Sequence, residues 1–310
     1  MSFIHNLLRL CRFPTVFTAL ADIMLGYALS HAGYDSWPTL GWLLVACAGL
    51  YLSGMVFNDV FDLKQDQQER PSRPLPSGAI SRPVASVFGG LLMIIGIACA
   101  AVASLNSLAI ALILAATILA YDGPLKRTPL GPLFMGACRM LNVLLGASAV
   151  GIRFASVWQH PQLWVACSMG LYIVGVTLFA RREASTSSKA GLLLGLGIAN
   201  LGLFGLAAWI MNWTVHIGLL VGFGAVAQPW TVLLALAVIA FTINRRALLA
   251  VADPQPKLVQ QTVGTMLLSI IVVDATLIYF KLGDAGIPYA IGTIALLIPA
   301  VGLRRWIPLS

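Results

Sequence analysis

Apolar runs long enough to cross a lipid bilayer follow one another along almost the whole of this 310-residue chain. A helix needs roughly 20 consecutive apolar residues to span a hydrocarbon core about 30 Å thick. Charged residues, Pro, Gly and Asn separate the runs and mark where each one ends. The predicted spans are residues 13–30, 39–61, 83–104, 107–121, 131–151, 161–180, 190–212, 229–248, 262–281 and 286–303.

The scarcity of charged residues excludes a water-soluble fold. Only 10% of the residues are charged and 59% are hydrophobic, whereas soluble domains carry about 25% charged residues. So few charges cannot cover a core of this size, and lipid must therefore cover the outside of the molecule. We predict an all-α, polytopic bundle of nine to ten transmembrane helices that forms one domain over residues 1–310.

The positions of the basic residues predict how the bundle is oriented. With ten spans, all but three of the 19 Lys and Arg residues fall on one side of the membrane, the exceptions being Arg139, Arg153 and Lys281. Basic connections stay in the cytoplasm, so both termini are predicted to be cytoplasmic. If the last two runs formed one broken element, Arg304 and Arg305 would lie outside, which favours ten spans over nine. The bases form no continuous patch, which argues against a nucleic-acid partner.

A cluster of acids ends the second run, where the sequence reads NDVFDLKQD from Asn58 to Asp66. Residues three and four apart share one face of a helix, so Asp59, Asp62 and Asp66 are predicted to lie together with Asn58 beside them. Such like charges repel each other unless a cation joins them. Mg²⁺ typically takes one or two carboxylates and completes its shell with water and substrate phosphates. This pattern predicts a diphosphate bridged by Mg²⁺.

The next residues, ERPSRPLPSG over 69–78, place Arg70 and Arg73 beside these acids. The planar guanidinium matches phosphate oxygens, and the prolines restrict the freedom of the loop that carries it. Acids for a metal and bases for phosphate would thus meet at the membrane surface. The alternative is a solvated loop whose acids and bases simply pair with one another.

Together, these two stretches resemble the first motif of the UbiA prenyltransferase superfamily, written NDxxDxxxD with a trailing RPLxSG. Residues 10–27 are also similar to the first helix of that family. Its members are intramembrane enzymes that bind a polyprenyl diphosphate through Mg²⁺ and transfer the prenyl group to an aromatic or other acceptor. The resemblance implies that Arg70 and Arg73 contact phosphate and that Asp59 and Asp62 are catalytic. It implies a Mg²⁺ ligand set of Asn58, Asp59, Asp62 and Asp66.

A second basic element, YDGPLKR over 121–127, leaves the fourth run on the same side. It resembles a Tyr-to-Lys-Arg segment of the family, which implies that Tyr121, Lys126 and Arg127 bind the diphosphate and that Lys126 acts in catalysis. The two bases could equally be ordinary cytoplasmic anchors. Arg139 lies inside the fifth run, where an unpaired base costs around 2.5 to 3.5 kcal/mol. We expect it to face the interior near Asn142 and to point toward acids or phosphate, as a further catalytic candidate.

The end of the sixth run departs from the family pattern. Family members normally carry a second acidic motif here, whereas this chain reads TLFARREAS over 177–185, with Glu183 as its one acid. Arg181 and Arg182, together with Glu183, could grip a diphosphate directly and replace a second cation, or the arginines could merely anchor the helix. The same stretch is similar to the UbiA-like EboC proteins of edge-metabolite gene clusters, which are tied to making or exporting a secondary metabolite.

The sequence therefore leaves more than one function open. The resemblance favours a Mg²⁺-dependent prenyltransferase whose partners are a polyprenyl diphosphate, a lipophilic or aromatic acceptor and the lipid bilayer. The alternatives are a membrane carrier or exporter and a catalytically altered relative. Asp22 and Asp274, each inside an apolar run, are expected to face protein or a cavity, where they would line a substrate path or join two helices.

Overall fold

Helices make up nearly all of the computed structural model, which describes residues 2–31, 33, 36–151, 153–181, 186–212 and 227–307. Short turns of tighter or wider helix connect several of them, notably at Phe13–Thr15, Tyr121–Leu125 and Gly283–Gly286. The helices are α1 (Phe3–Leu10), α2 (Val16–Ser30), α3 (Trp37–Phe61), α4 (Leu63–Glu69), α5 (Arg82–Ala103), α6 (Leu105–Ala120), α7 (Gly131–Gly146), α8 (Gln162–Ala180), α9 (Lys189–Ile210), α10 (Pro229–Ala252), α11 (Pro256–Leu282), α12 (Ile287–Ala295) and α13 (Leu297–Gly302).

The predicted all-α membrane bundle is confirmed, and each apolar run coincides with helix. Eight helical stretches in the described part are long and apolar enough to cross a membrane, and α7 is a shorter apolar helix. One of the eight, Pro256–Gly302, contains the last two predicted runs, which the turn Gly283–Gly286 separates. Counting α7 and dividing that stretch at its turn gives ten segments. How many of them cross the bilayer stays a prediction.

Three helix boundaries differ from the predicted ones by four residues or more, because hydropathy alone does not determine where a helix begins or ends. α10 extends to Ala252, four residues past the predicted end at 248. α11 begins at Pro256, six residues before the apolar run, since a proline at the first turn of a helix lacks only an N–H that would be unpaired there anyway. α7 ends at Gly146, so residues 147–151 of the predicted span 131–151 lie outside the helix. A Cβ built on Gly264 of α11 would lie 3.7 Å from Arg304 Nη1. The last segment therefore returns to the end of the bundle where α11 begins.

Glycines let the most extensively paired helices approach backbone to backbone. Helix α3 packs on α5 through Gly49 and Gly96, and a Cβ on Gly49 would lie 2.7 Å from the Leu92 carbonyl oxygen. Helix α8 packs on α9 in the same way, since a Cβ on Gly195 would lie 2.6 Å from the Phe179 nitrogen. Small residues at such crossings supply the close packing that holds membrane helices together when lipid is as apolar as the side chains.

A matched pair of alanine substitutions in α3 tests this contact. Gly49→Ala is expected to lower the thermal unfolding midpoint in detergent, because its Cβ meets backbone that cannot rotate away and overpacking costs about 1 to 3 kcal/mol. Gly41→Ala is the control, since nothing lies within 4 Å of its Cβ and alanine is the better helix former. Equal midpoints for the two variants would show that the α3–α5 crossing tolerates a methyl group.

Candidate active site

The acids that end the second predicted run lie on one buried face. Asp59, Asp62 and Asp66 expose 3%, 9% and 4% of their surface. Backbone hydrogen bonds from Asp62 N to Asn58 O, 3.0 Å, and from Asp66 N to Asp62 O, 2.9 Å, carry the helical spacing across the junction of α3 and α4. Since these hydrogen bonds continue the helical four-residue spacing through Asp62, the three carboxylates follow one another along the same face, as the sequence spacing predicts.

Two arginines neutralise the first and last of these acids. The Arg12 Nη2 atom lies 2.8 Å from Asp59 Oδ1. Arg73 Nη1 lies 3.4 Å from the same oxygen and 2.7 Å from Asp66 Oδ2. Arg73 therefore joins both acids, as its place in the proline-rich loop suggests, whereas the sequence did not single out Arg12.

Arg12 reaches Asp59 from an unusual backbone conformation. Its φ and ψ are both 46°, in the left-handed region that costs an L-residue roughly 1 to 2 kcal/mol. The turn redirects the chain between α1 and α2, and it leaves the guanidinium over the end of α3. Backbone strain of this kind persists where the surroundings hold it in place, and here the ion pair with a buried carboxylate does so.

The segment after α6 supplies the remaining charges. Lys126 Nζ forms an ion pair with Asp62 Oδ2, and Arg127 Nη2 lies 3.4 Å from Asp62 Oδ1. Tyr121 is buried at the start of this segment. Asp122, which the sequence did not single out either, is also buried and accepts a hydrogen bond of 3.1 Å from Asn58 Nδ2. Two distant stretches of sequence thus meet at one end of the bundle.

Electrostatic effects around these groups follow from burial and the neighbouring charges. Burial and the nearby Arg12 guanidinium lower the pKa of Arg73, while Asp59 and Asp66 oppose that shift. Burial and the Asp59 carboxylate raise the pKa of the Cys11 thiol to about 12. Cys11 is therefore a neutral packing residue beside the site.

The donor set fits Mg²⁺ held together with a diphosphate. Within the described ranges, no three His, Cys, Asp or Glu side chains converge as a ready metal cluster, because each acid of the α3–α4 face meets a base instead. The acids still offer the hard oxygen ligands that Mg²⁺ prefers, and the basic partners of Asp59 bind Oδ1. Arg73 Nη2 is buried and has no hydrogen-bond acceptor among the described residues, so a phosphate oxygen would satisfy it.

Arg139 lies in a second charged cluster, deeper in the bundle. Its Nε lies 2.6 Å from Asp22 Oδ2, and its Nη2 donates to the Thr18 carbonyl oxygen at 2.8 Å. Asn142 Nδ2 donates to the same Asp22 oxygen at 2.9 Å. Asp22 is the seventh residue of α2, about 9 Å along the helix from its start. The structure thus has Arg139 near Asn142 and pointing at an acid, as predicted, but apart from the α3–α4 acids.

Asp274 of α11 faces Asp22 in this deeper cluster. It is fully buried, and neither carboxylate oxygen has a hydrogen-bond donor among the described residues. The cluster joins α2, α7 and α11, so the expectation that buried acids face protein holds for both aspartates. The sequence left two roles open for these aspartates, lining a substrate path or joining two helices. The described contacts are between helices.

The remaining predicted site residues occupy less defined positions. Arg70 is half-buried at the end of α4, and its backbone N–H donates to Asp66 O at 2.8 Å. Arg181 is exposed just past the end of α8. Arg182 and Glu183 lie outside the described residues, so the roles predicted for the end of the sixth run stay predictions.

Comparisons with known proteins find a matching family model and several curated relatives. The model of the UbiA prenyltransferase family matches residues 19–271. A digeranylgeranylglyceryl phosphate synthase of Saccharolobus solfataricus is 29% identical over 147 residues, which are 47% of this chain and 52% of the relative. A protein of the same name from Methanoculleus marisnigri is 34% identical over 147 residues, with the same coverage. The chain thus matches about half the length of these curated relatives.

Solved structures share the fold over nearly their whole length. One described as a digeranylgeranylglyceryl phosphate synthase in membranes has a TM-score of 0.63 at 21% identity, covering 91% of this chain and 99% of its own. A UbiA homolog from Aeropyrum pernix K1 has a TM-score of 0.59 at 18% identity, covering 94% and 99%. A UbiA homolog from Archaeoglobus fulgidus bound to GPP and Mg²⁺ has a TM-score of 0.57 at 14% identity, also covering 94% and 99%.

Proposed function

The chain belongs to the UbiA prenyltransferase family, and from this premise we propose that it is a Mg²⁺-dependent intramembrane prenyltransferase. It transfers the prenyl group of an isoprenyl diphosphate to an aromatic or other lipophilic acceptor. One observation carries the proposal: buried acids of α3 and α4 meet bases from three other segments at one end of an apolar bundle. Loss of diphosphate from an allylic carbon develops charge that such fixed groups stabilise, and apolar helices keep water away.

The residues divide by chemistry in this proposal. Mg²⁺ would neutralise negative charge on the diphosphate as it leaves. The chain holds the metal with Asn58, Asp59, Asp62 and Asp66. The phosphate oxygens accept hydrogen bonds from Arg12, Arg70, Arg73, Lys126 and Arg127, beside Tyr121, and from the predicted contributors Arg181 and Arg182. The carboxylate of Glu183, also a predicted contributor, would reach the diphosphate through a bound cation. Arg139 acts by holding α2 in register with α7, since its described partners belong to α2.

The names of the relatives guide the choice of acceptor. Several are digeranylgeranylglyceryl phosphate synthases, which supports a phosphorylated glyceryl ether lipid as the first acceptor to test. The resemblance of residues 177–184 to EboC proteins supports a different setting, secondary-metabolite biosynthesis, with an aromatic or other acceptor. We further propose that residues 1–310 form a single unit with the N-terminus and the active site at the cytoplasmic face.

A product assay with metal removal tests the function. The protein in liposomes is incubated with C10 to C20 isoprenyl diphosphates and an extract of candidate acceptors, and the lipids are analysed by mass spectrometry. We expect a prenylated product whose formation falls by at least about 100-fold when EDTA removes divalent cations and returns with Mg²⁺, because charge neutralisation by a metal contributes several kcal/mol. A rate of product formation that EDTA leaves unchanged would contradict the proposed metal dependence.

The deep charged cluster favours one second candidate, a membrane carrier. Asp22, Arg139 and Asp274 lie inside the bundle, where ionisable residues often mark a transport path. Transport predicts that an isoprenyl compound crosses a proteoliposome membrane without covalent change. Prenylated product without such flux would leave the enzyme as the function.

A further inference from the structure

One acid at the end of the bundle lacks the cation that its neighbours have. Asp59, Asp62 and Asp66 each form an ion pair with at least one base. Asp122 exposes only 4% of its surface, yet it forms no ion pair with any residue that the structure describes. Its one hydrogen bond in that part of the chain comes from the neutral amide of Asn58. A buried carboxylate without a direct ion-pair partner is costly, so this position favours a cationic guest.

A wide helical turn brings Asp122 to this place. Residues Tyr121–Leu125 form a π-helical turn, in which Lys126 N donates to Tyr121 O at 2.9 Å across five residues. Such turns are rare and frequently occur at functional sites. Here the turn aims Asp122 at Asn58 and Lys126 at Asp62, one helical turn apart on α3. Asp122 therefore lies beside Asn58, which precedes Asp62 by one helical turn.

An unmet donor in the same cluster points to the partner of that cation. Arg73 is 95% buried and binds Asp59 and Asp66 through Nη1, while its Nη2 has no acceptor among the described residues. A carboxylate that needs a cation and a guanidinium that needs an anion are the two halves of a metal–phosphate site.

We propose that Asp122 is a direct ligand of the divalent cation, together with Asp62, and that Asn58 positions it. Asp122 would then contribute, from the segment after α6, a carboxylate in addition to Glu183, the one acid at the end of the sixth run. This inference rests on the proposed function, because it adds a ligand to the same metal site.

The ion pairs of Lys126 and Arg127 with Asp62 can be exchanged for a metal ion. The Lys126 side chain is 27% exposed and that of Arg127 is 65% exposed, so neither is enclosed by the protein and both reach solvent. Long flexible side chains at a surface lose little when they exchange one anion for another. With a divalent cation at Asp62, Lys126 and Arg127 would be available to bind phosphate oxygens of the diphosphate.

Binding of Mn²⁺ measured by electron paramagnetic resonance, with and without inorganic pyrophosphate, tests the assignment without relying on turnover. Asp122→Asn is expected to weaken Mn²⁺ binding by at least about tenfold, as loss of a contributing group does at metal sites. The control is Asp284→Asn, which removes the same charge from an exposed position in the turn Gly283–Gly286 and should leave binding unchanged. Undiminished Mn²⁺ affinity in Asp122→Asn would overturn the proposal.

A change of metal preference separates a ligand from a residue that only supports Asn58. Asp122→Cys is expected to lose Mn²⁺ and to gain Cd²⁺ binding relative to the unmodified protein, because thiolates prefer soft metals. Loss of Mn²⁺ without a gain of Cd²⁺ would mean that Asp122 acts structurally. Asp62→Asn separates failure of this inference from failure of the proposed function. If both Asp62→Asn and Asp122→Asn keep full Mn²⁺ affinity, the metal site of the proposed function is wrong. If only Asp62→Asn loses Mn²⁺ affinity, the role of Asp122 alone is rejected.

Discussion

Replacing Asp59 by Asn is expected to lower kcat/KM for prenyl transfer by at least about 1,000-fold, equivalent to roughly 4 kcal/mol of transition-state stabilisation. Asp59 Oδ1 accepts hydrogen bonds from both Arg12 and Arg73. The substitution removes a proposed metal ligand and leaves two guanidiniums beside a neutral amide. Removing one partner of a buried pair also costs about 3 to 5 kcal/mol of stability, so the assay is made on protein whose folded fraction has been measured.

Glu69→Gln is the matched control for Asp59→Asn. Glu69 is an exposed acid of α4 whose recorded contact is a hydrogen bond of 3.0 Å from Gln65 Nε2. It lies in the same charged stretch, and its neutral variant should retain activity within about twofold, as surface charges contribute little. Full turnover by both Asp59→Asn and Asp62→Asn would contradict the proposed chemistry.

Replacing Arg139 by Leu should give the largest loss of stability in the chain. The guanidinium is the cation that contacts Asp22, and Asp274 lies against the same carboxylate. Without Arg139, two fully buried acids remain without a compensating base in the described part of the bundle. Breaking a buried charge pair from one side typically costs 3 to 5 kcal/mol. The measurement is the free energy of unfolding in mixed micelles titrated with denaturing detergent.

A double variant shows whether the cost comes from the unpaired acid. Arg139→Leu with Asp22→Leu is expected to recover part of the stability, because replacing both partners by apolar groups leaves less unpaired charge. Arg153→Leu serves as the control for removing a base, since Arg153 is exposed in a connection. If the double variant is no more stable than Arg139→Leu, the arginine acts through packing instead of through its charge.

The fold was predictable because hydropathy and charge alternation report directly on lipid exposure. The same local logic extended to the spacing of Asp59, Asp62 and Asp66, which a single helical face accommodates whatever the rest of the chain does. Arg73 was within reach as well, since seven residues separate it from its partner Asp66. These features depend on contacts close in sequence.

Other parts of the site depend on contacts that no local pattern signals. Arg12 meets a partner 47 residues away and does so through a left-handed backbone that nothing in its neighbours demands. Asp122 meets Asn58 across 64 residues through a π-helical turn. The pairing of Arg139 with Asp22 requires knowing that α7 packs on α2. Such long-range residue pairings are determined by how the helices pack, and a periodic apolar sequence does not specify that packing.

The order of the ion pairs along the chain has a consequence for how the protein enters the membrane. Every described ion pair of the α3–α4 acids joins residues between Arg12 and Arg127. Chains fold from the N-terminus during synthesis, so Asp59 can meet Arg12 once the second span has been inserted, and Asp62 can meet Lys126 two spans later. The charges are therefore able to neutralise one another before the second half of the bundle exists. The later helices then pack against a bundle end whose α3–α4 acids already have basic partners.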